Sequence, residues 1–123
     1  MILDTCYFID AQRKPAVVEG ISQLLNDQRL CTTVITCGEL AAGFSSQHSH
    51  QVGVITMGVA IVGIDEAVAM TYGAIRRNLR SRGLIIGEND LWIAAIALTY
   101  DLPIVTRNTN EFSRVEGVEV VTY

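Results

Sequence analysis

The sequence is poor in cysteine, and its cysteines form no recognisable motif. Cys6, Cys31 and Cys37 contain no CxxC pair, and their odd number does not fit a disulfide framework. A zinc site needs more cysteine or histidine ligands at short spacing, whereas His48 and His50 lie in a polar stretch typical of a helix end or loop. We therefore interpret the thiols as reduced side chains of the core and predict no zinc site.

Long hydrophobic runs are also absent. The longest apolar runs, residues 57–64 and 91–98, are much shorter than the roughly 20 residues that a transmembrane helix needs. The sequence opens with Met-Ile-Leu-Asp and lacks the basic region and the long apolar region of a secretory signal. These absences predict no membrane partner and a cytoplasmic location.

Charge is scarce, and basic charge is almost entirely arginine. Only 18% of the 123 residues are charged and 50% are hydrophobic, which argues against disorder and predicts a single domain over residues 1–123. The net charge of −4 opposes a nucleic-acid partner overall, yet arginine binds phosphate bidentately. A patch that would contact RNA is formed by Arg76, Arg77, Arg80 and Arg82 on one helical segment, with Arg107 and Arg114. The alternative is a solvated helix face.

Short apolar runs alternate with longer amphipathic ones along the chain. The short runs are rich in β-branched residues, as is typical of buried parallel strands. They predict strands at Met1–Leu3, Leu30–Thr33, Ala60–Ile64, Ile104–Thr106 and Val118–Val121. The amphipathic runs predict helices at Pro15–Asn26, Thr36–Phe44, Asp65–Arg82 and Asn89–Tyr100. This alternation favours an α/β fold, a three-layer α/β/α sandwich with a central, mainly parallel sheet.

Three acidic residues fall where such a fold exposes its active site. Asp4 ends the first strand, Glu39 lies early in a helix, and Asp90 opens another helix. Carboxylates gathered at one sheet edge repel each other unless a hard cation such as Mg²⁺ or Mn²⁺ lies between them, so the pattern indicates metal-dependent phosphoryl chemistry. Taken singly, each residue also has an ordinary structural role, as a helix cap, a helix former or a favourable charge in a first turn.

Four segments, in order along the chain, resemble PIN domains of the VapC toxin type. Residues 2–5 resemble the family's first metal-binding aspartate, residues 35–43 its glutamate helix, and residues 87–95 its third acidic segment. Residues 103–112 and 115–120 resemble the family's final strand, turn and strand. Any one of these segments can occur by chance, but the four in order are specific.

The resemblance implies a PIN-like fold and a Mg²⁺- or Mn²⁺-dependent endoribonuclease that hydrolyses RNA with metal-activated water. Asp4, Glu39 and Asp90 would hold the metal and would share catalysis with Asn108. The implied partners are an RNA substrate (tRNA, rRNA or mRNA) and an antitoxin that blocks the toxin, with DNA reached only through the antitoxin. A mean hydropathy of +0.33, high for a small monomer, adds the prediction of a homodimer.

Two positions depart from the family's pattern. Many PIN domains have a fourth acidic residue where this chain has Asn108, which lowers the charge of the site. Asn108 or Thr106 would then orient a water, with Thr5 as a further supporting residue. Cys6 stands where the family commonly has a small polar residue, and a thiol donates hydrogen bonds poorly. Asn108 keeps open the alternative of a catalytically weak PIN domain that binds RNA or a protein without cutting.

Other readings of the same residues are weaker. A haloacid-dehalogenase-type phosphatase needs a second aspartate at the position of Cys6, and a receiver domain needs a late lysine, whereas Lys14 is the only lysine. Glu88 and Glu111 are secondary site candidates, with roles at a helix start and in a turn near the rim. Trp92 and Phe112 have the chemistry to stack on bases, but their apolar neighbours favour core positions. The sequence therefore favours Asp4, Glu39, Asp90 and Asn108 over these four residues as the site.

Overall fold

Five short parallel strands form one sheet in the computed structural model, which describes residues 1–26, 28–48 and 51–123. They are β1 (Ile2–Leu3), β2 (Cys31–Thr33), β3 (Ala60–Val62), β4 (Ile104–Val105) and β5 (Val120–Val121), in the spatial order β3-β2-β1-β4-β5. Ile2 pairs with Cys31 on one side and with Ile104 on the other, so β1 is the central strand. All five lie within the ranges predicted from the sequence.

Helices occupy most of the remaining described chain. They are α1 (Thr5–Arg13), α2 (Pro15–Glu19), α3 (Ser22–Asn26), α4 (Val34–Ala42), α5 (Gln51–Ile55), α6 (Glu66–Ser81), α7 (Glu88–Tyr100) and α8 (Thr109–Phe112). Within the described residues, no helix has the length and apolar character needed to cross a bilayer.

The core consists of two clusters, one on each face of the sheet. Successive strand residues point to opposite faces, and accordingly Ile2 and Ile104 pack with α6 and α7, whereas Leu3 and Val105 pack with α1, α3 and α4. These side chains are almost completely buried. Helices therefore cover both faces, which confirms the predicted three-layer α/β/α sandwich.

Local sequence explains the ends of the long helices. The Asp65 side chain accepts from the backbone N–H of Val68 at 2.9 Å and caps α6, which ends before Gly83 in a left-handed conformation (φ +67°). The Thr33 hydroxyl caps α4 by accepting from the N–H of Thr36 at 3.0 Å. Helices α4, α6 and α7 thus lie close to their predicted bounds.

Two structural predictions were wrong. The helix predicted over Pro15–Asn26 is broken between α2 and α3, because Gly20 is a poor helix former and the Ser22 hydroxyl donates to the Glu19 carbonyl at 2.8 Å. Strand β3 is not buried: Ile61 is 53% exposed, because β3 lies at the edge of the sheet. Helices α1, α5 and α8 were not predicted.

The cysteines are free thiols, and Cys31 is buried in the core as predicted, whereas the core positions predicted for Cys6 and Cys37 were wrong because both are only partly buried and belong to neither core cluster. His48 lies in an exposed turn, where its Nδ1 is 2.7 Å from the Ser45 hydroxyl. His50 lies outside the described residues.

Candidate active site

Asp4 lies at the carboxyl end of the central strand and is only 4% exposed. Its Oδ1 accepts from the backbone N–H of Thr5 at 2.8 Å, which caps α1, and its Oδ2 accepts from the Thr106 hydroxyl at 2.7 Å. Thr106 directly follows β4, the neighbour of β1 in the sheet. The sheet therefore brings together two residues that are 102 positions apart in sequence.

Glu39 approaches Asp4 from helix α4. The Thr5 hydroxyl donates a hydrogen bond to Glu39 Oε2, and the Asn89 side-chain amide donates to Glu39 Oε1 at 2.9 Å. Both oxygens of this half-buried carboxylate are thus oriented by neutral donors from α1 and α7. Thr5, predicted as a supporting residue, links Asp4 and Glu39 through its backbone and its hydroxyl.

Asp90 completes the group from the first turn of α7. The Asn108 side-chain amide donates to Asp90 Oδ2 at 2.9 Å, and the Asn108 backbone N–H donates to the Thr106 hydroxyl at 2.9 Å. Glu111, on α8, accepts from the Gly87 N–H at 2.9 Å and fixes the segment that leads into Asp90. An open groove of ≈ 320 Å³ lies over Glu39 and Asp90 and gives access to solvent.

The acidic side chains repel one another. Burial, followed by the charges of Asp4, Glu111 and Glu39, raises the pKa of Asp90 to about 6, although the Asn108 hydrogen bond opposes this shift. Burial also raises the pKa of Asp4, with a smaller contribution from Glu39 and with the Thr106 and Thr5 hydrogen bonds acting in the opposite direction. Such a cluster gains stability from protons or from a cation.

The donor set has the chemistry of a hard-cation site, since carboxylate oxygens are the ligands that Mg²⁺ and Mn²⁺ prefer. The positions of the side chains fit a metal ion less well than their chemistry does. Among the described residues, no three acidic, histidine or cysteine side chains converge closely enough to enclose a metal ion. The composition and electrostatics of the site therefore fit such a cation, whereas the side-chain positions do not by themselves form a closed set of ligands.

We predict that the stability of the metal-free protein rises as pH falls from about 7 toward 4. The folded pKa of Asp90, about 6, exceeds its ordinary value of 3.8, so between these values the folded state binds more protons than the unfolded state. Thermal melts across this range measure the effect. Asp90→Asn should show a weaker pH dependence and should be at least as stable as the wild type at pH 7. Equal pH dependence in the two proteins would contradict the assigned repulsion.

The residues predicted to contact RNA from α6 are partly engaged in contacts within the chain. Arg76 forms an ion pair with Glu88 and donates to the Tyr72 hydroxyl at 3.1 Å. The Tyr72 ring stacks on Trp92 with centroids 3.9 Å apart, so Trp92 is half-buried against the core, while Phe112 is fully buried. The core positions favoured for both aromatic residues agree with this packing.

The other arginines differ in the freedom of their guanidinium groups. Arg82 donates to the Arg114 carbonyl at 2.8 Å and lies 3.6 Å from Glu116. Arg107 is held by the buried carboxylate of Asp10. Arg114 donates to the Ile85 carbonyl at 2.6 Å. The remaining predicted contacts, Arg77 and Arg80, are exposed on α6.

Sequence reasoning gave too little weight to two residues beside the site. Asn89 orients Glu39, and Glu111 contributes to the raised pKa of Asp90. The signal for Asn89 was its position directly before Asp90. The signal for Glu111 was its position three residues after Asn108, with Asn108 as the N-cap of α8 and Glu111 in its single turn.

Comparison with known proteins identifies the family. The sequence model of the PIN domain family matches residues 1–118 of this chain. The chain belongs to the PIN domain family. It is 34% identical over 125 residues to "Ribonuclease VapC1" of Haemophilus influenzae (strain R2866), covering 96% of this chain and 93% of that protein. It is also 34% identical over 124 residues to the "tRNA(fMet)-specific endonuclease VapC" of Shigella flexneri, covering 95% and 92%.

A solved structure supports the same assignment. The structure of VapBC-1 from nontypeable Haemophilus influenzae matches this PIN domain with a TM-score of 0.84 and 30% identity, covering 98% of this chain and 96% of that chain. The resemblance to VapC-type PIN domains and the α/β PIN-like fold are thereby confirmed. The curated relatives are named as ribonucleases or endonucleases, and VapBC denotes a toxin–antitoxin system.

Proposed function

We propose that this PIN domain is a Mg²⁺- or Mn²⁺-dependent endoribonuclease and the toxin of a toxin–antitoxin pair. The observation that carries the proposal is that neutral hydrogen-bond donors hold Asp4, Glu39 and Asp90, from three separate segments of the chain, at the carboxyl edge of the sheet, where their charges act on one another. The names of the VapC relatives support the reaction class. The Shigella relative, named for tRNA(fMet), makes tRNA the first substrate to test.

Asp4, Glu39 and Asp90 would hold the cation, directly or through ordered waters. When bound, such a cation lowers the pKa of a coordinated water and polarises a phosphate oxygen. The chain's neutral donors keep the carboxylates in place: Thr106 and the Thr5 N–H fix Asp4, and Asn108 fixes Asp90. Because all these donors are uncharged, they orient the carboxylates without neutralising the charge that attracts the cation.

Cleavage assays test the proposal directly. We expect the purified chain, free of antitoxin, to cut tRNA at a few sites in Mg²⁺ or Mn²⁺, and EDTA to stop the reaction. Excess Mg²⁺ added after EDTA should restore it. Wild-type protein that binds many RNAs but leaves them uncut in both metals would contradict the nuclease proposal.

A PIN domain that binds RNA or a protein without cutting is the second candidate. The neutral Asn108 and the open arrangement of the carboxylates favour it. Persistent RNA binding in EDTA without cleavage in either metal would be its signature. The same assay therefore separates the two candidates.

The antitoxin is proposed from the VapBC relatives. A groove of ≈ 110 Å³ between α1 and α4, lined in part by Ile9, Arg13 and Phe44, reaches Glu39. A peptide segment lying in this groove would cover one side of the carboxylate site. Inhibition of the nuclease by an antitoxin then follows from blocked access to Glu39.

We also propose a homodimer in the cytoplasm. Large apolar side chains remain exposed on this protomer, including Val54, Met57, Ile61, Met70 and Ile85. Light scattering at micromolar concentration should give the mass of two chains, because pairing would remove part of this apolar surface from water. A stable, soluble monomer whose mass is unchanged by the antitoxin would contradict the prediction.

A further inference from the structure

Asp10 is a buried acidic residue that lies outside the group of Asp4, Glu39 and Asp90. It lies on α1 and is only 4% exposed. The Arg107 guanidinium donates to both carboxylate oxygens of Asp10, from Nε to Oδ2 and from Nη2 to Oδ1 at 2.9 Å. The Tyr123 hydroxyl also donates to Asp10 Oδ2, at 3.0 Å. We call Asp10, Arg107 and Tyr123 the clamp. It joins α1 to the segments that follow β4 and β5.

Within the clamp, Arg107 lies between two residues whose side chains belong to the candidate site. Thr106 donates to Asp4 at 2.7 Å and Asn108 donates to Asp90 at 2.9 Å, while the side chain of the intervening Arg107 is bound to Asp10 instead. The Arg107 backbone N–H also donates to Cys6 Sγ at 3.3 Å. Fixing Arg107 by both its side chain and its backbone restricts the adjoining peptide units, and therefore the positions of Thr106 and Asn108.

A second set of contacts joins the clamp to Asp4. The Tyr123 hydroxyl lies 3.5 Å from Cys6 Sγ, and this sulfur lies 3.3 Å from the Thr106 hydroxyl and 3.5 Å from Asp4 Oδ2. Burial raises the pKa of Tyr123, so its hydroxyl remains protonated at neutral pH and available as a donor. Cys6, which is one helical turn before Asp10, thus lies between the clamp and the site.

We propose that Asp10 is a positioning residue for RNA cleavage, acting through Arg107 and assisted by Tyr123 to hold Thr106 and Asn108 against Asp4 and Asp90. This inference rests on the proposed nuclease function. A bidentate arginine–carboxylate pair has a defined geometry, which suits it to fixing a backbone segment. Substituting a residue that supports metal ligands through hydrogen bonds commonly lowers activity by about 10–100-fold.

Hydrogen exchange tests the positioning without requiring activity. In Asp10→Asn and in Tyr123→Phe, we expect the amides of residues 106–108 to exchange faster than in the wild type, while α6 keeps its protection. Tyr123→Phe leaves the Asp10–Arg107 pair in place but removes the hydroxyl that contacts Asp10 and Cys6, and it provides the result if Asp10→Asn does not fold. Tyr100→Phe is the matched control, because its hydroxyl binds Asp65 at the start of α6. Unchanged exchange at 106–108, or faster exchange throughout the chain, would overturn the inference.

Kinetics then separate positioning from stability. Well below the melting temperature, both clamp variants should lose about 10-fold or more in kcat with little change in KM for RNA, whereas Tyr100→Phe should match the wild type. Faster exchange at 106–108 with an unchanged kcat would overturn the proposed role. If exchange rises locally but the wild type itself cuts no RNA, the nuclease proposal fails while the clamp's hold on this segment is confirmed.

Discussion

Asp90→Asn is expected to lower the rate of RNA cleavage by about 10²–10³-fold at saturating Mg²⁺. The substitution keeps the size of the side chain but removes the charge, and a bound cation contributes several kcal/mol of transition-state stabilisation, with each 1.36 kcal/mol equal to a factor of ten. Asp4→Asn should cause a comparable loss. Single-turnover cleavage of tRNA, with proteins prepared identically, measures both effects.

A matched control distinguishes loss of the site from a general change in charge. Asp101 lies at the opposite end of α7 from Asp90 and has a left-handed backbone (φ 52°) that asparagine adopts readily. Asp101→Asn therefore removes one negative charge without changing the site, and it should cleave like the wild type. Thermal melts must show that Asp90→Asn is folded. If Asp90→Asn unfolds, Asp90 acts mainly as a structural residue at the helix start, and its assignment as a metal ligand is wrong.

Much of the fold was predictable because short β-branched runs and longer amphipathic runs produce different periodicities. Strand β1 and helix α7 illustrate this, since both were located within one residue of their observed bounds. Helix α8 escaped prediction because a four-residue turn is too short to show a period of 3.6 residues. The break between α2 and α3 depends on a hydroxyl–carbonyl hydrogen bond that competes with the helix, which periodicity does not report.

The site was predictable only in part. Positions after a strand and early in helices singled out Asp4, Glu39 and Asp90, and resemblance to PIN domains predicted that the three share one metal site. The roles of the neutral donors could not be read from the sequence: Asn89 contacts Glu39 across 50 positions, and Thr106 contacts Asp4 across 102. Such pairings follow from strand order and helix placement, which bring distant segments together only in the folded chain.

Arg107 is a residue to which the sequence assigned a role that its contacts in the structure do not support. On charge alone it was grouped with the arginines of α6 as an RNA contact. In the structure its guanidinium binds Asp10, which was not considered because an acidic residue within an unpredicted helix gave no signal. The buried carboxylate of Asp10 orients the more exposed Arg107 side chain, and the burial of Asp10 is a property of the fold rather than of the local sequence.

The second large effect is expected from Asn108→Asp, which should lower the stability of the protein without metal and raise the stability that it gains from metal. The Asn108 amide now donates to Asp90 at 2.9 Å. An ionised carboxylate cannot donate, so the substitution would replace a hydrogen bond by like-charge repulsion at the same distance. Without metal, the variant should melt at a lower temperature than the wild type at pH 7, with a shift of several degrees. Lowering the pH toward 4 should remove most of the difference.

With Mg²⁺ or Mn²⁺ added, Asn108→Asp should instead melt at a higher temperature than the wild type. A fourth carboxylate increases the attraction for a divalent cation, so the variant should gain more stability from metal than the wild type and should bind Mn²⁺ more tightly in calorimetric titrations. Asn110→Asp is the matched control, because Asn110 is exposed on the same helical turn. Cleavage by Asn108→Asp should equal or exceed that of the wild type if asparagine only weakens a metal position. A variant that remains destabilised in metal and binds Mn²⁺ no more tightly would show that position 108 lies outside the cation site, and Asn108 would then serve only to orient Asp90.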